Sequence, residues 1–174
     1  MAFLDKLKKK VQEPEPPRAP TAREECDALL DDAIKMALRL IEALGHHFPF
    51  CLAITTAGER TNFAVDDREV RDSDMLYDVV RQSVLASIRD RQLRAVALVK
   101  NVRYHLAKDA TPRGAVQVTL DHLREARGCT CYMPYRTVDG RVMPDEVFAT
   151  EPVEILFADR ATFLAGSDGE VRAR

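Results

Sequence analysis

The sequence lacks tryptophan, long apolar runs and any strong excess of one charge. The absence of tryptophan argues against a sugar-binding protein and against an aromatic cage for a quaternary ammonium group. No apolar run approaches the roughly 20 residues that a membrane-spanning helix needs. The net charge of −2 gives the whole molecule no strong attraction for polyanions, so we expect no nucleic-acid partner.

The sequence also lacks the short motifs that mark common catalytic sites. It contains no phosphate-binding loop, no dinucleotide glycine fingerprint, no GxSxG nucleophile elbow and no HExxH zinc helix. We therefore expect no cofactor, and the sequence leans away from an enzyme without excluding one.

The cysteines give little sign of a disulfide framework. Cys26 and Cys51 lie in apolar segments, while Cys129 and Cys131 are too close in sequence for an easy bridge. The start, MAFLDKLKKKV, interleaves charged with apolar residues and is not a secretory signal. We interpret all four cysteines as reduced thiols of a cytoplasmic protein.

Residues 1–12 form a candidate amphipathic basic leader, and residues 13–20, EPEPPRAP, form an extended proline-rich linker. The apolar residues of the leader recur at helical spacing among lysines, so it could dock on an anionic membrane surface or in the groove of a partner. A solubilising tail is the alternative. The docking hypothesis rests on Phe3, Leu4, Leu7, Lys8, Lys9 and Lys10.

Residues 21–157 are predicted to form a single α+β domain, followed by a polar tail at 158–174. Thr21 and Glu24 have the spacing of a capping box, and Gly45 is a natural end for the helix that follows. A second helix is predicted over about 74–90. The predicted strands are 48–56, 61–65, 93–104, 115–123, a hairpin around Asp139-Gly140 with its second strand at 141–149, and a possible edge strand Val153–Phe157.

This order predicts an antiparallel sheet of about five strands with two main helices, in the order helix-strand-strand-helix-strand-strand-strand. The same order over residues 21–136 resembles that of profilin-like and roadblock-like domains. The phrases FPF at 48–50, NVR at 101–103 and PYR at 134–136 resemble a family of small uncharacterised bacterial proteins. Neither resemblance implies an activity.

Three patterns could carry chemistry, each with an ordinary structural explanation. Cys129 and Cys131 share a strand face and could bind a metal with His122 or His105, if the hairpin register turns His122 towards them. Buried apolar thiols are the commoner reading. Cys51 near His46 and His47 could be an activated nucleophile, although its strand looks buried. The acidic residues could bind a hard cation or simply form a solvated loop and helix cap: Asp66, Asp67, Glu69, Asp72 and Asp74.

A group of polar and aromatic residues at strand ends is the preferred binding surface. Arginine suits carboxylate or phosphate ligands, and tyrosine and arginine are common at interface centres. Ordinary solvation of strand ends is the alternative. The group comprises Lys100, Arg103, Tyr104, His105, Tyr135 and Arg136.

These observations favour a non-catalytic interaction or adaptor module. Strands 50–54 and 95–99 are apolar on both faces, and two helices do not necessarily cover both sides of such a sheet. Self-association through strand 93–104 or an exposed sheet face would cover it, so we expect a homodimer or another protein partner. The alternatives are a small-molecule-binding protein or a hydrolase or transferase that uses Arg103, His105 and Tyr135 or a thiol, and a peripheral membrane protein tethered by its leader.

Overall fold

The computed structural model describes residues 18–65, 72–104 and 113–161. The leader, most of the linker, His105 and residues 162–174 of the tail lie outside the described residues, so predictions about them stay predictions. Two helices and seven strands follow in the order αββαβββββ. They are α1 (Ala22–Leu44), β1 (Phe50–Thr55), β2 (Arg60–Ala64), α2 (Ser73–Arg89), β3 (Leu93–Tyr104), β4 (Arg113–His122), β5 (Cys129–Val138), β6 (Arg141–Pro144) and β7 (Phe148–Thr150).

Local sequence rules account for the ends of both helices. The Thr21 side chain accepts a hydrogen bond from the Glu24 amide while the Glu24 carboxylate accepts one from the Thr21 amide, which confirms the predicted capping box. Gly45 ends α1 with φ of 79°, a left-handed conformation that glycine adopts without strain. Asp72 caps α2 by accepting hydrogen bonds from the amides of Asp74 and Met75.

The sheet is antiparallel throughout, with strand order β2-β1-β3-β4-β5-β6, and β7 also pairs with β5. The prediction of about five strands was too low, and the strand predicted over 141–149 is two strands. Pro144 ends β6 because proline offers no amide hydrogen to continue a ladder. The ten-residue β5 is long enough to pair with β6 at one end and with β7 at the other.

The two helices lie on opposite faces of the sheet. Leu29, Ala33, Ala37 and Ile41 of α1 pack in one apolar cluster with alternate residues of β1, β3, β4 and β5. Val80, Val84 and Ile88 of α2 pack in a second cluster with the other face. This arrangement explains why β3 is apolar on both sides, because it is buried between two layers. Residues 95–99 of β3 lie between β1 and β4, so this part of the strand has no free edge. Self-association through strand 93–104 stays a prediction.

The segment after β7 is held by side chains and forms no edge strand, which corrects the prediction for Val153–Phe157. The carboxylate of Asp121, which is 1% exposed, accepts hydrogen bonds from the amides of Leu156 and Phe157 and an ion-paired hydrogen bond from Arg160. The Asp121 carboxylate thus accepts the amide hydrogen bonds that a neighbouring strand would otherwise accept. The side chains of Leu156 and Phe157 are buried in the cluster that contains α2. Neither helix among the described residues is long and apolar enough to cross a bilayer.

Candidate thiol site

The preferred polar group is divided between the two faces of the sheet. Arg103 and Tyr135 both pair with Gly114 and lie on the α1 face. Lys100 and Arg136 lie on the other face, where Lys100 Nζ stands 4.5 Å above the Tyr77 ring and Arg136 pairs with Asp145 at 3.3 Å. His105 and the side chain of Tyr104 lie outside the described residues. The described members therefore do not converge on one site.

Tyr135 has a structural role that its neighbours explain. Its hydroxyl group lies 3.0 Å from the Asn101 side-chain nitrogen and 3.2 Å from the side-chain oxygen. The ring crosses Gly114 so closely that a Cβ there would stand 2.7 Å from Tyr135 Cζ. Tyr135 is thus packed across β4 with its polar atom paired, while Arg103 on the same face is exposed.

The predicted Cys–His nucleophile does not form. Cys51 is fully buried in the α2 cluster, and burial raises its pKa to about 12. His47 instead packs on Phe50, whose side chain belongs to the α1 cluster on the opposite face. Burial also lowers the pKa of His47, whose Nδ1 lies 3.1 Å from the Phe48 carbonyl oxygen. Of the acidic residues, Asp72 serves as a helix cap, and Asp66, Asp67 and Glu69 lie outside the described residues.

Three of the four cysteines line one cavity, which we call the thiol pocket. It encloses about 400 Å³ between the first turns of α1, the beginning of β5 and the residues around β7. Cys26 comes from α1, while Cys129 and Cys131 come from β5. Cys129 pairs with Leu120 and Cys131 with Val118, so both β5 thiols point towards α1. The fold therefore brings together thiols that are about a hundred residues apart in sequence.

Cys129 and Cys131 form a dithiol pair. Their sulfur atoms are 3.9 Å apart, within range of an S–H···S hydrogen bond. This bond from Cys131 lowers the pKa of Cys129 to about 7, against the opposing effect of partial burial. The same hydrogen bond, together with burial, raises the pKa of Cys131. The pKa of Cys26 is raised to about 12, chiefly by burial and secondly by the nearby Cys129 charge. Cys129 is accordingly the thiol that ionises most readily, and it is the more exposed member of the pair.

His122 shares the face of the dithiol pair, because Cys129 pairs with Leu120 and His122 is two residues further along the same strand. Its ring is nevertheless engaged at both nitrogens. Nδ1 accepts a hydrogen bond from the Arg124 amide at 2.9 Å, so Nε2 carries the hydrogen that points to Glu25, 3.0 Å away. Glu25 also pairs with Arg94. This buried network makes His122 a link between α1 and β4.

A metal site does not follow from this arrangement. Among the described residues, no group of three histidine, cysteine, aspartate or glutamate side chains is arranged to hold a metal ion. The weak metal candidates Cys129, Cys131 and His122 are thus close together without forming a ligand set. What they can do is thiol chemistry, since one thiol is acidic and a second donates a hydrogen bond to it.

Sequence reasoning missed Cys26 as a partner of the dithiol pair. Its position in the apolar stripe of α1 predicts burial, but which strand it meets depends on how α1 lies across the sheet.

Comparisons with protein families, with curated proteins and with solved structures find no match to this chain.

Proposed function

We propose that this chain binds a small molecule in the thiol pocket and reacts with it through Cys129. The observation that carries the proposal is the dithiol pair, 3.9 Å between sulfur atoms, in the wall of a cavity large enough for a small ligand. Burial alone raises the pKa of a thiol, as Cys51 illustrates, so an acidic thiol in a cavity wall is not explained by packing. Reduced thiols fit the cytoplasmic location expected from the sequence.

The experiment is alkylation of the full chain with iodoacetamide between about pH 5 and pH 9. Peptide mapping by mass spectrometry gives a rate for each cysteine separately. We expect the rate at Cys129 to rise with a midpoint at about pH 7, while Cys26 reacts slowly throughout. In Cys131→Ala the lost hydrogen bond moves the Cys129 midpoint up towards the ordinary thiol value of about 8.5.

The control is Cys51→Ala, which removes a thiol on the other face of the sheet and leaves the Cys129 midpoint where it was. Equal reactivity of Cys129 and Cys26 would contradict the proposal. So would a Cys129 midpoint that does not respond to Cys131→Ala.

The interaction module favoured by the sequence is the second candidate. Five of the ten exposed large apolar side chains among the described residues lie between Met143 and Ile155, along β6, β7 and the segment that follows. Exposed apolar residues at a sheet edge favour contact with another chain. Light scattering over a dilution series tests this candidate. Tethering by the leader stays a prediction about residues outside those described.

A further inference from the structure

The dithiol pair and its cavity have a more specific chemistry than general thiol reactivity. We propose that Cys129 and Cys131 carry out thiol–disulfide exchange with a low-molecular-weight peptide disulfide of the glutathione type, Cys129 attacking and Cys131 resolving. This inference rests on the proposed function, because it assigns the class of molecule that enters the thiol pocket. Its support is the geometry of the two sulfur atoms, their unequal exposure and the charges around the cavity.

The two thiols are placed so that they can close a bond. Their sulfur atoms must approach by about 1.9 Å to reach the length of a disulfide. Alternate residues of a strand have Cα atoms roughly 6.6 Å apart, near the upper end of the range that disulfides span. A bond at that limit is easily reduced, so it suits reversible exchange better than permanent cross-linking.

The two thiols also differ in the way that exchange requires. Cys129 is partly exposed at the cavity, whereas Cys131 is 5% exposed behind it. The incoming disulfide therefore meets Cys129 first. The Cys129 thiolate attacks one sulfur of the disulfide, a new S–S bond forms, and the first small thiolate leaves and takes up a proton.

Formation of this mixed disulfide prepares the second step. Cys131 keeps its proton chiefly because its S–H donates to Cys129 and because it is buried, and the Cys129 charge adds to this. Once Cys129 is in the mixed disulfide, it is no longer a thiolate. The hydrogen bond from Cys131 to the thiolate and the repulsion by its negative charge, which both raised the Cys131 pKa, are then lost. The pKa of Cys131 therefore falls, although its burial remains, and the thiol gives up its proton to solvent. The Cys131 thiolate attacks Cys129 Sγ, the mixed S–S bond breaks, and the second small thiolate leaves and takes up a proton. The protein dithiol is oxidised by two electrons, and the disulfide is reduced to two thiols.

The charges that line the cavity favour a small peptide as the ligand. Arg23 and Arg127 supply positive charge, and Asp27 and Glu125 supply negative charge. A glutathione-type disulfide carries both carboxylates and ammonium groups, so it can complement both signs. A purely anionic or purely apolar disulfide complements only part of this lining.

The test uses the reduced full chain in mixtures of reduced and oxidised glutathione, quenched by alkylation and digested with trypsin. Cleavage after Arg127 and Arg136 leaves Cys129 and Cys131 together in GCTCYMPYR, whereas Cys26 lies in EECDALLDDAIK. An internal disulfide lowers the mass of the first peptide by two hydrogens, and a bond to Cys26 joins the two peptides. The expected product is the internal disulfide, with the same result in Cys26→Ala.

Two serine variants separate the steps. In Cys131→Ser the resolving thiol is gone, so we expect the internal bond to be lost and a glutathione adduct to accumulate on Cys129. In Cys129→Ser neither product forms. Circular dichroism of each variant shows whether it folds, and the wild-type product decides the question if a variant does not fold.

Failure of this inference differs from failure of the proposed function. A GCTCYMPYR peptide that stays reduced at every glutathione ratio, or a dominant bond to Cys26, overturns the exchange proposal even if Cys129 alkylates at about pH 7. Absence of Cys129 alkylation overturns both proposals.

Discussion

At the scale of single residues, one buried carboxylate joins three elements. Glu25 of α1 is 6% exposed and pairs with Arg94 of β3 and with His122 of β4. Burial alone would raise the Glu25 pKa, but the hydrogen bonds from Arg94 and His122 outweigh it and hold the pKa below its ordinary 4.5. The pairing is favourable because the charged oxygens receive donors that replace the lost water.

We expect Glu25→Gln to lower the free energy of unfolding by about 1.5–3 kcal/mol at pH 7, because hydrogen bonds to a charged group are lost. A carboxyl whose pKa is lowered by folding stabilises the protein above its unfolded pKa, and this stabilisation is lost as the pH falls through the folded value. The difference in the free energy of unfolding between wild type and Glu25→Gln should therefore become smaller below about pH 4.5. Urea denaturation followed by circular dichroism at several pH values measures it. Glu42→Gln, an exposed change on the same helix, is the control, and an equal effect there would refute this account.

At the scale of elements, the ends of α1 were predictable and the register of the β4–β5 hairpin was not. Thr21, Glu24 and Gly45 act within a few residues, so capping rules locate α1 from sequence alone. The connection between His122 and Cys129 is too long for a two-residue turn rule to fix the pairing. The face of His122 and its place beside the dithiol pair therefore depended on packing. Cys26 joined the site for the same reason, since only the crossing of α1 over the sheet brings it there.

The beginning of β5 is fixed by a glycine. A Cβ at Gly128 would lie 2.5 Å from the backbone oxygen of Leu120, so any side chain must push β5 away from β4. We expect Gly128→Ala to lower the free energy of unfolding by about 1–3 kcal/mol, as crowding of a packed site does. Because Cys129 is the next residue, the same shift should weaken the dithiol hydrogen bond and raise the alkylation midpoint of Cys129. The exposed change Arg124→Ala, at a residue that does not line the thiol pocket, should alter neither quantity. A Gly128→Ala protein with wild-type stability would contradict the close contact.

At the scale of the whole molecule, the two helices remove one of the reasons for expecting a dimer. The sequence suggested association because β1 and β3 are apolar on both faces, and α1 and α2 cover those faces. The outer edge of β5 is only partly closed, because β6 and β7 are short and pair with no further strand among the described residues. A partner is therefore expected at the β6–β7 edge of the sheet rather than at its centre.

Substitution of one phenylalanine at this edge tests the expectation. Phe148 of β7 is 46% exposed and stacks on Tyr132, while Phe48, before β1, is 40% exposed and serves as a matched control. If the β6–β7 edge joins two copies, light scattering should show the mass of the full chain rising above 19.6 kDa towards twice that value with concentration. Phe148→Lys should abolish the rise, because a lysine at a sheet edge opposes edge-to-edge pairing, whereas Phe48→Lys should leave it unchanged. A wild-type mass of 19.6 kDa at every concentration would exclude self-association, and an equal loss in both variants would place the contact elsewhere.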